Sequence, residues 1–340
     1  MPLASEPYKL LETCFHQSDK LAEQKYQERN NSESTYRLPI RVGDYPAFFV
    51  LTKEIINGLV SVIEKNSVIH DLMQQSDAME ELLTDFMFRK IESSNEIENI
   101  HSSRQELQEA WSSMDHYSLR FSEMLRQYSR LLSSESHRFP EEIAQIRNIY
   151  DDMLYNDIDQ EAPDNVPDGR LFPKNDVFIA SGIKTYHKGG MPEEKIEEDL
   201  DSFLRIVEDE EIPHLLRAAV FHFLFGYIHP FYDGNGRMNR YLTTLFLAKK
   251  YELAFSFQLS LALRSSRQAY YKAFETCENS LNRGDLTPFI QFFIHVLNQS
   301  LDHETELLKK QIDKYNCVKN SIKQLTNKPG ERASYISLPE

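Results

Sequence analysis

Cysteine is scarce. The chain of 340 residues has three, Cys14, Cys277 and Cys317, with no CxxC or zinc-ribbon spacing among them. This excludes a disulfide framework and points to a reducing compartment. Basic charge is also short: 38 Lys and Arg stand against 53 Asp and Glu, a net charge of −15. A global footprint for nucleic acid and a polybasic membrane patch are therefore both absent. No apolar run reaches the roughly 18 residues of a membrane span. The opening "MPLASEPYKL" lacks the basic and apolar regions of a signal peptide. These absences predict a soluble cytoplasmic protein with neither membrane nor nucleic acid as partner. Glycine is rare too, with 11 in all, and Trp occurs once.

What is present is a sizeable hydrophobic fraction, 41% of residues, enough to build a core. Residues 1 to about 45 are polar and read as an extension packed on the rest of the chain. "PAFFVLTKEIINGLVSVIEK" carries Ile55, Ile56, Leu59, Val60 and Ile63 at helical spacing. Helical patterns continue over 78–100, 104–134 and 140–155, with Ser102 and Gln105 forming a capping box before the second. The rhythm then breaks. "DVFIA" and "IKTYH", around a Ser181-Gly182 turn signal, predict a small β-hairpin at 176–188. After Pro192 comes an amphipathic helix, and then "IPHLLRAAVFHFLFGYI", apolar nearly all round and so expected to be a central buried helix. A helix resumes near Gly236 with Met238, Tyr241, Leu242, Leu245 and Phe246 as its core stripe, and further helices cover 265–283 and 285–325. The predicted class is all-α with one small hairpin, divided into an N-terminal helical extension (1–77), a main domain (78–300) and a C-terminal helix and tail (301–340).

Two of the few glycines fall inside "HPFYDGNGRMNR", residues 229–240. Asp233-Gly234-Asn235-Gly236 reads as a tight turn between two helices, because Gly and Asn tolerate positive φ. Successive N–H groups in such a turn, with the partial positive charge of a helix N-terminus, make an anion cradle. It is not a Walker P-loop, since no Lys-Ser/Thr follows and no strand precedes. Arg237 and Arg240, three apart, can clamp phosphate oxygens bidentately. Asp233 can hold Mg²⁺ bridging phosphates, and His229 is a candidate general base. Taken singly, these are an ordinary turn, a helix-end histidine and a solvated arginine face. Together within a dozen residues, beside a helix too apolar to be exposed, they describe phosphoryl or nucleotidyl transfer. A transition-metal site of His222, His229 and Asp233 is disfavoured by Pro230, which interrupts the helix between its members.

The same twelve residues resemble the signature of the Fic (filamentation induced by cAMP) domain family, HPFx(D/E)GNGRxxR, at every defined position. The resemblance extends over about 80–300 and implies a Fic-type helical domain with a β-hairpin flap. It implies a protein adenylyltransferase that moves AMP from ATP onto a Ser, Thr or Tyr hydroxyl of a target protein, or of itself. In that reading His229 is the general base and Asp233 binds Mg²⁺. Gly234, Asn235 and Gly236 form the anion hole, Arg237 meets the β/γ-phosphates, and Arg240 holds the γ-phosphate. Phe231 packs beneath the loop.

The family also often carries an inhibitory helix, (S/T)xxxE(G/N), which "SNEIEN" matches through Ser94, Glu98 and Asn99. Ser94 and Glu98 are one helical turn apart on one face. By the resemblance, Glu98 pairs with Arg240 and blocks the γ-phosphate position, or positions a water for the reverse removal of AMP. Tyr270 or Tyr271 would line the adenine side. The chain departs from the family's "FR" before the flap with Phe172-Pro173-Lys174, and has Asn239 where Gly is common. The rival readings are transfer of another phosphate-containing group, and a regulatory scaffold with a resting Fic domain. Target and homo-oligomeric state are left open.

Overall fold

A computed structural model describes residues 8–76, 79–113, 119–133, 138–175, 178–181, 184–188 and 192–326. Two short helices, α1 (Leu11–Gln17) and α2 (Asp19–Asn30), lead into an antiparallel hairpin, β1 (Thr35–Val42) and β2 (Tyr45–Val50). Four helices come next: α3 (Lys53–Gln74), α4 (Met79–Ile97), α5 (Arg104–Ser112) and α6 (Ser122–Leu132). Then α7 (Ile143–Tyr150) runs through a π-helical turn, Asp151–Tyr155, into α8 (Asn156–Glu161). A second antiparallel hairpin, β3 (Phe178–Ser181) and β4 (Lys184–Lys188), precedes α9 (Glu193–Glu208). The remainder is α10 (His214–Ile228), α11 (Asn235–Leu247), α12 (Leu253–Ser265), α13 (Arg267–Glu278) and the long α14 (Thr287–Thr326). Among the described residues no helix is long and apolar enough to cross a membrane.

The all-α class with a small hairpin at the expected place holds. The register of β3 and β4 pairs Phe178 with Lys188 and Ser181 with Lys184, with an irregularity between Ile179 and Ala180. The turn itself, residues 182–183, lies outside the described residues.

Three details differ from the sequence reading. The N-terminal segment holds the hairpin β1–β2 as well as helices. Its strand β1 alternates inward Leu38, Ile40 and Val42 with outward Arg37, Pro39 and Arg41, a period-2 pattern inside an otherwise polar stretch. Of the stripe expected on α3, Ile55 is buried, but Val60 and Ile63 face outward, 51% and 57% exposed. The inward face is instead Ile55, Val62, Ile69 and Met73, a seven- and four-residue spacing that lies along α14. The capping box at α5 is Ser103 with Glu106, one residue on from the pair expected. Ser102 instead accepts a hydrogen bond from Asn95 Nδ2 at 3.2 Å.

The core is continuous from β1 to α14, so the extension shares it with the rest of the chain. Phe48 of β2 exchanges backbone hydrogen bonds with Gly284 and Leu286 just before α14. At the centre lies α10, which buries 13 of its 15 residues, so its C-terminal end is fixed from all sides. Packed against it is α11, whose Met238, Tyr241, Leu242, Leu245 and Phe246 are all buried, as the stripe predicted.

At the start of α10, His214 stacks on Phe246 of α11, ring centroids 4.1 Å apart and nearly parallel, with both ring nitrogens unpartnered. Burial, helped by nearby Arg217, pulls its pKa from 6.5 to about 3. The folded state thus keeps His214 neutral where the unfolded state protonates it, and stability falls as pH drops from about 6.5 towards about 3. We expect His214→Phe to gain on the wild type steadily across that window in urea midpoints. A difference that stays constant with pH would contradict a neutral buried imidazole.

Candidate active site

The loop between α10 and α11 is built by backbone conformation first. His229 caps α10 in the left-handed region, φ 52° and ψ 61°, its N–H bonded to Phe225 O at 3.0 Å. Gly234 caps α11 at φ 80°, where a side chain would be strained and a Cβ would meet Leu154 of the π-helical turn at 2.8 Å. Between these two turns, Asn235 clips the loop to itself. Its side-chain oxygen accepts from Phe231 N–H at 2.9 Å and its Nδ2 donates to Phe231 O at 2.6 Å. The side chain is therefore structural; the contribution Asn235 has left for an anion is its backbone N–H. Phe231 is fully buried and stacked on Tyr150, centroids 3.8 Å apart, and so does pack beneath the loop. Tyr150 O–H donates to Asp233 O at 3.2 Å.

This frame aims the reactive groups. The His229 Nδ1 lies 3.3 Å from Gly226 O. A carbonyl only accepts, so Nδ1 carries the proton and Nε2 the lone pair in the neutral ring. Asp233 is half-exposed, takes the Gly234 N–H on Oδ1, and lies 3.8 Å from an Arg237 nitrogen. Arg237 is buried, and its Nε has no partner. The N–H groups of Asn235, Gly236 and Arg237 open α11, where no carbonyl four residues back serves them within the helix. Orphaned buried donors at a helix N-terminus suit an anion.

Arg240 is 0% exposed. Its Nε donates to Ser94 Oγ and its Nη2 to Ser94 O, both at 2.9 Å, and Nη2 pairs with Glu98 Oε1 at 2.8 Å. Nη1 has no partner. Burial disfavours its charge, but Glu98 together with Tyr270 and Tyr271 outweighs burial and raises its pKa, which keeps the guanidinium ionised. Ser94 and Glu98, one helical turn apart, thus both meet Arg240 more than 140 residues further along the chain. A Cβ on Gly236 would sit 1.9 Å from Glu98 Oε1, so the carboxylate lies directly over the cradle.

Asn99 shapes how Glu98 is presented. It adopts φ 59°, with Asn99 N–H bonded to Glu96 O and Ile100 N–H bonded to Asn95 O. This is a Schellman ending for α4, which needs Gly or Asn at that place. Its Oδ1 also accepts from Arg267 Nη1 at 2.9 Å.

Some expectations need correction. Tyr270 is 5% exposed, with its hydroxyl on His222 Nε2 at 3.0 Å, so it backs Arg240 from within the core and does not form an open adenine wall. Tyr271 is only partly buried, its hydroxyl 3.4 Å from Ile97 O, at the edge of the same region. His222 spends its other nitrogen on Thr243 Oγ1 at 2.8 Å, which removes it from any metal set with His229 and Asp233. Asn239 is buried and donates to His222 O at 2.7 Å, locking α11 to α10.

Sequence reasoning missed Lys90. Fully buried on α4, it reaches Ser260 Oγ at 2.9 Å and the Arg240 carbonyl at 3.4 Å, and lies over the Tyr128 ring. Burial, then Arg240, pulls its pKa well down. The available signal was its spacing: Lys90, Ser94 and Glu98 fall on one helical face.

Among the described residues no group of three or more His, Cys, Asp or Glu side chains is placed to hold a metal ion. Asp233 is the only carboxylate in 229–240, so an ion there would take its remaining ligands from phosphate oxygens and water.

Residues 140–247 match the Fic/DOC family. A protein adenylyltransferase Fic of Nematostella vectensis is 32% identical over 112 residues, which is 32% of this chain and 24% of that protein. One from Drosophila melanogaster is 28% identical over 125 residues, 36% of this chain and 22% of that protein. The matched segment thus spans about a quarter of the length of these relatives. The crystal structure of a Fic family protein from Desulfovibrio desulfuricans G20 shares the fold over 77% of each chain, with a TM-score of 0.61 and 19% identity. The segment that matches the Fic/DOC family contains the whole loop between α10 and α11, and the fold shared with the Desulfovibrio desulfuricans protein reaches well beyond it.

Proposed function

We propose that the protein is a protein adenylyltransferase held in a closed state by Glu98. The observation that carries this reading is the Glu98–Arg240 ion pair lying over Gly236, a carboxylate seated where the loop is built for a phosphate. The relatives named above as protein adenylyltransferases support the reaction type. The substrate is ATP, and the acceptor is a Ser, Thr or Tyr hydroxyl on a target protein or on another copy of this chain. The reducing interior of a cell suits the three unpaired cysteines.

In the reaction the acceptor oxygen bonds to the α-phosphorus, the bond to the β-phosphate oxygen breaks, and pyrophosphate leaves. His229 takes the hydroxyl proton on Nε2. The opening N–H groups of α11 and the unpartnered Arg237 Nε receive the phosphate charge. Arg240 Nη1 is the donor that becomes useful once Glu98 withdraws. Mg²⁺, held by Asp233 and the phosphates, would offset the same negative charge. Because Glu98 lies outside 140–247, the working unit extends back to α4, in keeping with a functional domain of 78–300.

Labelled ATP tests this. Glu98→Gly should raise AMP transfer onto the chain itself by on the order of tenfold or more, since each factor of ten is about 1.4 kcal/mol of barrier. His229→Ala in that background should lower it by about 10²-fold or more. No gain from Glu98→Gly would remove the closed-state reading. Release of free AMP from a modified protein by the wild type, lost in Glu98→Gly, would mean that the site runs in the removing direction.

Asn99 offers a second check. Asn99→Ala should cost about 1–2 kcal/mol in urea unfolding, the penalty for an ordinary side chain in the left-handed region. Asn99→Gly should match or exceed the wild type. Equal midpoints for Ala and Gly would rule out the backbone role.

A further inference from the structure

Tyr232 occupies the undefined position of the twelve-residue motif, yet it makes specific contacts. Its hydroxyl accepts from Asn175 N–H at 3.0 Å and donates to Asp168 Oδ1 at 3.1 Å. The same Asp168 oxygen accepts from Lys174 N–H at 3.0 Å. Asn175 stands three residues before β3. One residue earlier in the motif, Phe231 packs against Phe172, centroids 5.6 Å apart. Glu193, opening α9, accepts from the N–H groups of Leu171 and Phe172 at 2.6 and 2.8 Å. The segment 168–175 is thus gripped at Asp168 and Asn175 by Tyr232 and at Phe172 by Phe231, two adjacent residues that lie between His229 and Asp233.

We propose that Tyr232 is a positioning residue that ties the base of the β3–β4 hairpin to the catalytic loop, and so sets where an acceptor protein's hydroxyl stands relative to His229. This rests on the adenylyltransferase reading. The tie is a hydroxyl with one donated and one accepted hydrogen bond, which Phe cannot reproduce. In this proposal the acceptor protein is held through the hairpin, whereas ATP and water reach the loop without it. Tyr232 therefore governs the partition of AMP between a protein hydroxyl and water.

The test uses the full chain carrying Glu98→Gly, with labelled ATP, and measures self-modification and free AMP release side by side. Adding Tyr232→Phe should lower self-modification about three- to tenfold, the worth of one or two hydrogen bonds. AMP release to water and ATP affinity should stay within about twofold. Asp168→Ala should reproduce the shift, and the double variant should show little further loss, because both act through one link. An equal fall in both products would overturn the proposal by making Tyr232 merely structural, and so would no change in either.

A readout independent of the reaction separates this from the function itself. Hydrogen exchange at the amides of Lys174, Asn175 and β3 should speed up in Tyr232→Phe with no other substitution, while α10 and α11 stay protected. Unchanged exchange there would overturn the tie even if AMP transfer is real. Faster exchange in a chain whose Glu98→Gly form transfers nothing would leave the tie standing and remove the activity.

Discussion

The site depends on one buried guanidinium, that of Arg240, and on how its charge is met. Arg240 has no exposed surface, and a guanidinium in a protein interior survives only if its charge and donors are met. Ser94 meets two donors from the body of α4, and Glu98 meets the charge from its end. The helix dipoles explain why the pair forms in this direction. Glu98 stands at the C-terminal end of α4, where a negative charge is disfavoured. It leans over Gly236 in the first turn of α11, where a negative charge is favoured. The carboxylate thus satisfies the same physical demand as a phosphate oxygen, namely oriented N–H groups and a guanidinium, and in the proposed closed state would compete with it on those terms.

Gly236 consequently serves two states. A Cβ there would stand 1.9 Å from the Glu98 carboxylate, so the residue that in the proposed function lets backbone N–H groups approach a phosphate is also the one that lets the Glu98 contact form. Gly234 has a different constraint: its left-handed turn is backed by Leu154, Ile158 and Tyr150 of the α7–α8 region. Two glycines two positions apart are needed for unrelated reasons, one conformational and local, the other steric and set by a helix from far upstream.

Much of this was legible because it is local. The reactive residues lie within twelve positions, the buried α10 is apolar on every face, and the β3–β4 hairpin comes from two β-prone runs around a turn. What was not legible is polar and long-range. Lys90, Asn239 and Tyr232 look like surface residues by type, and their partners lie 150, 17 and 64 residues away. The aromatic type of Tyr270 suggested a wall for a base, but only the fold reveals that its hydroxyl is taken by His222. The outward turn of Val60 and Ile63 is set by where α14 lies, which periodicity on α3 alone does not specify.

The energetics also bear on how such a site opens. Withdrawing α4 would expose Phe86, Met87, Phe88, Ile91 and Ile97, each worth about 1.5–3 kcal/mol of burial. It would also strand Lys90, which α12 and the Arg240 carbonyl hold. Rotating the Glu98 side chain breaks one ion pair and returns a carboxylate that is already about a third exposed to water. The Schellman turn at Asn99 ends the helix at that side chain, so it can swing without unwinding α4. Arg240 would keep both bonds to Ser94 and stay fixed while its free nitrogen becomes available. Under the proposed function the cheaper opening is therefore the one that leaves the scaffold intact and moves only the Glu98 carboxylate.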